Sequence, residues 1–307
     1  MHCEPIRERM EVFMHYSEGA YWRPLFEQTD AMLQVAQGCS HNKCRFCTMF
    51  KGSTFSVSPE DEVHSDIEEL ARSSWRNPDR VFLTGGNAFC LPMRRLRQTI
   101  EDIRAAMPNV HTIGCFARIE DVAWKSDDEL CELAKLGISD ISIGAESGLD
   151  DALAFMHKGH TAADIVEQCA RLDDAGISYN LFYLAGIAGA GRHEENARAT
   201  VEVFGKTSPK RIMIHTLTLF PGSPLKEDVE SGAFTPSSET DILRELRLLA
   251  ELLPNETYLL GAHIGNTAPF NAFIPQQRDQ VLEYLDAKIA NADEDRLTHF
   301  RRHLKSM

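Results

Sequence analysis

Short apolar runs alternate with amphipathic helical stretches along most of this chain, and that order leaves few folds open. Strands are predicted over 32–36, 80–84, 110–115, 139–144, 178–184 and 211–217. Helices are predicted over 58–72, 93–107, 127–136, 161–175, 193–204 and 239–253. Ser58 is the expected cap of the first helix, with Pro59 in its first turn. Strands separated by helices of this length pair in parallel through right-handed crossovers. A doubly wound sheet and a partial barrel both satisfy that rule. Two more helices, over 276–289 and 292–305, close the chain, and no internal repeat or low-complexity segment interrupts it.

The unusual residues choose between the two folds. A cysteine-rich loop, Gly85-Gly86-Asn87, Cys115-Phe116-Ala117-Arg118, Gly144-Ala145-Glu146-Ser147 and Gly186-Ile187-Ala188-Gly189 all fall at carboxyl ends of predicted strands. A doubly wound sheet gathers its ligand at one switch point. A barrel builds its site from the whole carboxyl rim. The sequence therefore reads as an α/β chain with a partial (β/α)6 TIM-type barrel of parallel strands over 29–235. An N-terminal extension over 1–28 precedes it, and a helical region over 236–307 closes it.

The cysteine loop runs Cys39-Ser40-His41-Asn42-Lys43-Cys44-Arg45-Phe46-Cys47, a C-x4-C-x2-C spacing. Three thiolates suit three irons of a [4Fe–4S] cluster and leave the fourth iron open to a small molecule. The competing reading is zinc, with His41 completing a Cys3His set. Zinc sites usually draw on two separate ligand pairs, whereas Cys90, Cys115, Cys131 and Cys169 stand singly. Lone cysteines are usually small buried hydrophobes, although Cys90 and Cys115 fall where a barrel mouth would be. Nothing marks the chain as secreted, which disfavours a structural disulfide.

Charge narrows the partners. The formal net charge is −14, and nucleic-acid binders ordinarily present a basic face. The one basic run, over 296–305, reads as a solvated helix end whose cations suit the helix dipole. With no apolar run of spanning length and no apolar N-terminal core, a cytoplasmic chain with no membrane partner is expected.

Four separated motifs then agree in order. They are Gly38 through Phe50 around the cysteines, Gly144-Ala145-Glu146-Ser147-Gly148 with Lys158-Gly159, Phe220-Pro221-Gly222-Ser223-Pro224-Leu225, and a tail segment holding His263 and Asn266. Together they resemble the radical S-adenosylmethionine (SAM) superfamily. The likeness is to the group of the oxygen-independent coproporphyrinogen oxidases and the Elongator catalytic subunit, over about residues 20–290. Two departures stand out. The first cysteine gap is one residue longer than the usual C-x3-C, and Asn87 replaces the acidic residue of the usual Gly-Gly-Glu turn.

The resemblance implies a [4Fe–4S] cluster held by Cys39, Cys44 and Cys47, with SAM on the open iron. It implies anaerobic chemistry, an electron donor such as flavodoxin or ferredoxin, and a 5′-deoxyadenosyl radical acting on a small or medium-sized metabolite. Gly85 and Gly86 would let the main chain approach SAM, and with Asn87 their carbonyls would receive its ammonium. Glu146 would take the ribose hydroxyls or the ammonium. Arg118 would fork onto the SAM carboxylate or else pair with an acidic neighbour. Phe46 and Ile187 would flank the adenine. His215 and His263 are candidate substrate contacts, with ordinary structural histidines as the bland alternative. The same resemblance leaves three other functions open: tRNA modification, transfer of the aminocarboxypropyl group of SAM, and carriage of haem or a cluster.

Overall fold

The computed structural model describes residues 15, 24–27, 31–73 and 78–304. Most of the expected N-terminal extension over 1–28, and the end of the basic run at Lys305, lie outside them. In chain order the strands are β1 (Ala31–Gln34), β2 (Ala36–Gln37), β3 (Ser56–Val57), β4 (Arg80–Thr84), β5 (Thr112–Ala117), β6 (Ile141–Glu146), β7 (Tyr179–Ala185), β8 (Arg211–Thr216), β9 (Thr257–Leu260) and β10 (Asn271–Ile274). The helices are α1 (Glu60–Arg72), α2 (Met93–Ala106), α3 (Ile119–Ala123), α4 (Asp127–Lys135), α5 (Asp150–Phe155), α6 (Ala162–Ala175), α7 (His193–Phe204), α8 (Pro224–Glu230), α9 (Glu239–Leu252), α10 (Arg278–Ala290) and α11 (Glu294–Arg302).

The main sheet runs β1-β4-β5-β6-β7-β8-β9-β10. Every neighbouring pair from β1 to β9 is parallel, and β10 turns back antiparallel on β9. Spatial order follows chain order without a reversal, so no switch point exists. The sheet is a partial TIM-type barrel, open between its edge strands β1 and β10.

Period-two alternation assigns the two faces. Val81, Leu83, Ile113, Ile141, Ile143, Leu181, Ile212 and Ile214 are buried in the core cluster shared with the helices. Each fully buried aliphatic side chain there contributes about 2 kcal/mol of transfer free energy. The intervening Phe82, Phe116, Gly144, Phe182, Met213 and His215 face the barrel lumen. Helix starts follow local chemistry. Ser126 and Thr161 form capping boxes with Glu129 and Asp164, and Gly176 ends α6 at φ 77°.

Several boundaries differ from the sequence reading. Pro59, not Ser58, occupies the cap of α1 and no side chain caps it; the Ser58 N–H donates to the Val35 carbonyl. β5 and β6 begin two residues later than expected. Val110 is held by a turn bond to Met107 and the His111 N–H donates across to the Asp79 carbonyl, and Asp140 sits at φ 53°, where a strand cannot run. The tail expected to be helical also contributes β9 and β10, whose pairing is long-range. The basic run is not simply solvated: Arg301 binds the Glu239 carboxylate, Thr218, Thr267 and the Gly265 carbonyl. Among the described residues no helix is long and apolar enough to cross a membrane.

Candidate functional site

The cysteine loop springs from the carboxyl end of β1 and is closed at its base by the β2–β3 pair. Contacts from several elements fix it. The Gly86 N–H donates to the Gly38 carbonyl at 2.7 Å, and the Ser40 N–H donates to Asn87 Oδ1 at 2.9 Å. Asn42, at φ 46°, donates its amide to the carbonyls of Phe50 and Ser53. Farther along, the Arg45 N–H donates to the Met156 carbonyl, and its guanidinium pairs with Asp228 of α8. Cys39, Cys44 and Cys47 are all half-buried. A Cβ on Gly86 would lie 2.5 Å from the Gly38 carbonyl oxygen and 2.6 Å from Cys39 Cα. Only glycine lets the β4 turn sit that close beneath Cys39.

The donor set fits an iron–sulfur cluster. Burial raises the Cys44 and Cys47 thiols, Cys47 to about 11, and nearby thiols add to the shift. Soft irons would hold them as thiolates. The zinc alternative finds less. His41 Nε2 lies 2.7 Å from the His157 carbonyl oxygen, which engages the ring nitrogen a Cys3His site could use.

Behind the loop stands a polar strut. Asn87 is fully buried, and its amide donates to both oxygens of Asp121 and to Ser40 Oγ. Burial pushes the Asp121 carboxyl up to about 6. The Asn87 side chain thus holds the loop, and only its backbone is available for the role expected of it. Arg118 lies alongside. Its N–H donates to Asp121, while its guanidinium donates to Glu120 and to the Lys158 carbonyl, each at 2.5 Å. The acidic-neighbour reading of Arg118 is therefore realised within the chain; its Nε has no protein partner. Burial works against the Glu120 charge, yet His160 and Arg118 hold its carboxyl down at about 2.

Glu146 ends β6 at φ 70°, a conformation unusual for its type. Its Oε1 accepts from Lys158 Nζ at 3.1 Å. Lys158 is buried, and its ammonium sits 5.8 Å from the Phe46 ring centroid. Burial opposes the Lys158 charge, but Glu146 and Cys44 outweigh it and its pKa is raised. The sequence reading quoted Lys158 as part of a motif and gave it no role. Geometry makes it the cation between the cluster loop and Glu146.

Ile187 is buried within the Gly186–Gly189 turn, in a cluster with Leu184, Leu217, Leu225 and Phe234 against which Phe46 packs. The two residues expected to flank adenine therefore share one apolar patch. Beneath the turn lies Glu245 of α9, which no motif announced. Its Oε1 accepts from Tyr183, Asn196 and the Gly186 N–H, and burial pushes its carboxyl up to about 7. Asn196 also accepts from Ser147, so this network joins the Glu146 and Ile187 turns.

Cys115 lies inside β5, in the helix-facing core, where burial raises its pKa strongly. It is not a thiol at the mouth. Cys90 is half-buried and pushed up to about 12 by burial, so at neutral pH it is a protonated thiol.

A model of the radical SAM superfamily matches residues 33–202, more than half of the chain. Among curated relatives, tRNA uridine(34) acetyltransferase of Methanocaldococcus jannaschii is 19% identical over 266 residues, covering 73% of this chain and 48% of its own. The chain thus spans about half the length of the curated relatives it matches first. Coproporphyrinogen III oxidase (HemN) of Escherichia coli, a radical SAM enzyme, superposes with a TM-score of 0.58 at 14% identity, covering 76% of this chain and 54% of that one. TsrM of Kitasatospora setae, a radical SAM methyltransferase solved with cobalamin and a [4Fe–4S] cluster, gives 0.54 at 20% identity over 66% and 40%. These structural likenesses establish a shared fold.

Proposed function

Because this chain belongs to the radical SAM superfamily, we propose that it reductively cleaves SAM and turns the resulting radical on a small or medium-sized metabolite. It is a radical SAM enzyme, and its cofactors are a [4Fe–4S] cluster and SAM. The observation that carries the reading is the half-buried C-x4-C-x2-C loop clamped over Gly86 at the barrel rim. When bound, the cluster supplies the electron that splits the SAM sulfonium into methionine and a 5′-deoxyadenosyl radical, which takes a hydrogen atom from the substrate.

The chain's own residues do the positioning. Cys39, Cys44 and Cys47 ligate. Gly85 and Gly86 open the main chain to the SAM amino acid moiety, with the Asn87 carbonyl beside them. Glu146, held by Lys158, faces the ribose or the ammonium. Arg118, whose Nε has no protein partner, would contact the carboxylate. Phe46 and Ile187 sandwich the adenine from their common patch. A primary alkyl radical attacks almost any nearby C–H bond, so placement selects the hydrogen. We place the protein in the cytoplasm, with flavodoxin or ferredoxin as the electron source.

A second reading, tRNA as substrate, is favoured by the relative named for tRNA uridine(34). That relative leaves without support the expectation, drawn from net charge, that a nucleic-acid partner is disfavoured. Affinity for tRNA falling steeply with salt would support it. The test of the main reading is anaerobic reconstitution with iron and sulfide, addition of SAM and dithionite, and mass spectrometry of every SAM-derived product. 5′-Deoxyadenosine is expected. Methylthioadenosine in its place would mean aminocarboxypropyl transfer, and haem binding with SAM untouched would mean a carrier.

A further inference from the structure

Four partly exposed rings and one buried ring form a continuous row across the lumen. Phe82 and Phe116 meet edge to face at 5.2 Å between centroids, Phe116 and Phe182 are 6.1 Å apart, Phe182 and His215 are 5.4 Å apart, and His215 and His263 are 4.6 Å apart. Phe182 lies in the middle of β7, Phe116 and His215 are the next-to-last residues of β5 and β8, and each stays partly exposed. They face open space inside the barrel. The row starts beside the reactive end: Phe182 is in register with Gly144, whose lumen side meets Glu146 and Lys158.

The hydrogen-bonding state of the two imidazoles is informative. His263 Nδ1 accepts from the Gly265 N–H at 3.1 Å, which puts the proton of the neutral ring on Nε2 as a donor. His215 makes no hydrogen bond among the described residues, although burial and His263 hold its pKa down to about 4. Its ring nitrogens, accessible from the lumen and without a protein partner among these residues, are placed to meet a ligand. The turn carrying His263 is fixed for this purpose. Asn266 donates to the Ile214 and Gly261 carbonyls, and Arg301 donates to the Gly265 carbonyl. Charge in the lumen is already matched, with Lys158 on Glu146 and Arg211 on Asp140.

We infer that this row is the substrate wall, and that it takes a planar, uncharged nitrogen heteroaromatic ring. Phe116 and Phe182 receive its face, and His215 and His263 receive its edge. The inference rests on the reading of the lumen as the place where the SAM-derived radical meets substrate. The ring's source, a free metabolite or a base carried on RNA, does not alter the chemistry of recognition.

The test uses the full chain reconstituted with cluster and SAM, and saturation-transfer NMR with adenosine, uridine and indole as probes. Cyclohexanol serves as the non-aromatic control and a single-stranded RNA oligonucleotide as the second source. At least one ring probe should bind, cyclohexanol should not, and Phe182→Leu and His215→Leu should each weaken binding about tenfold, the worth of one stacking or edge contact. Binding of the oligonucleotide alone, lost in the same variants, would assign the ring to RNA. Absence of ring binding, equal binding of cyclohexanol, or binding indifferent to both variants would overturn the inference. Iron content and 5′-deoxyadenosine are measured on the same samples. Intact SAM cleavage without ring binding fails the inference alone, whereas failure to load a cluster or cleave SAM fails the underlying reading.

Discussion

The two ends of the barrel are built on opposite principles. At the amino end the lumen is plugged by paired charge. Arg80 forks onto the fully buried Glu27, and Asp140 gathers Lys210, Arg211 and Ser178. Arg211 also lies 4.5 Å over the Phe26 ring, and Gly114 leaves the room that the Arg80–Glu27 pair fills. At the carboxyl end the chain departs from low-energy choices. Glu146 holds a positive φ, Gly86 meets backbone too close for any Cβ, and Arg118 Nε, Glu120 Oε2 and Glu245 Oε2 are buried without hydrogen-bond partners. The residue at positive φ in the plug is an aspartate, a type that tolerates it. Paired charge serves stability. The positive φ of Glu146 and the close backbone approach at Gly86 sit where we propose that a cofactor is held.

Substitutions at the two ends should therefore separate stability from chemistry. The largest effect belongs to Cys44→Ala, which should abolish cluster loading and 5′-deoxyadenosine formation while leaving the melting temperature of the metal-free protein nearly unchanged. Melting and product analysis on one preparation check both halves. Glu27→Ala should do the reverse. Removing the buried carboxylate that Arg80 forks onto should cost about 3 kcal/mol in denaturant unfolding, with SAM cleavage per folded molecule unaltered; a loss of turnover would break the comparison.

Gly86→Ala probes the rim by shape. Its methyl would strike the Gly38 carbonyl and Cys39. We expect a loss of about 2 kcal/mol from overpacking, together with a reduced iron-to-protein ratio. A further effect concerns pH. Glu245 has a folded pKa of about 7 against an ordinary 4.5, because burial disfavours its charge. A carboxyl raised on folding lends stability that is complete below 4.5 and is lost as pH rises through about 7. The melting temperature of the wild type should fall across that window. In Glu245→Gln the fall should be shallower, and parallel curves would show that the carboxyl does not titrate there.

What the sequence made legible follows from range. The β4, α4 and α7 segments were readable within a residue or so, because alternation, capping residues and helix length are local signals. The cysteine loop stood out because its three cysteines are close in the chain. β9 and β10 were not read, since each is a four-residue run whose identity depends on a partner strand elsewhere. The Asn87–Asp121 strut joins residues 34 positions apart, and Glu245 reaches Tyr183 across 62. No spacing announces such pairs. Lys158 lay in a quoted motif, but only the fold sets its ammonium between Glu146 and the Phe46 ring.

The central claim is that the rim holds a cluster with one iron open to SAM. The most direct measurement is metal content, followed by electron paramagnetic resonance of the dithionite-reduced protein with and without SAM. The account predicts about four irons per chain and a reduced-cluster signal whose g-values change when SAM is added. A single zinc per chain, or a cluster signal indifferent to SAM, would contradict it.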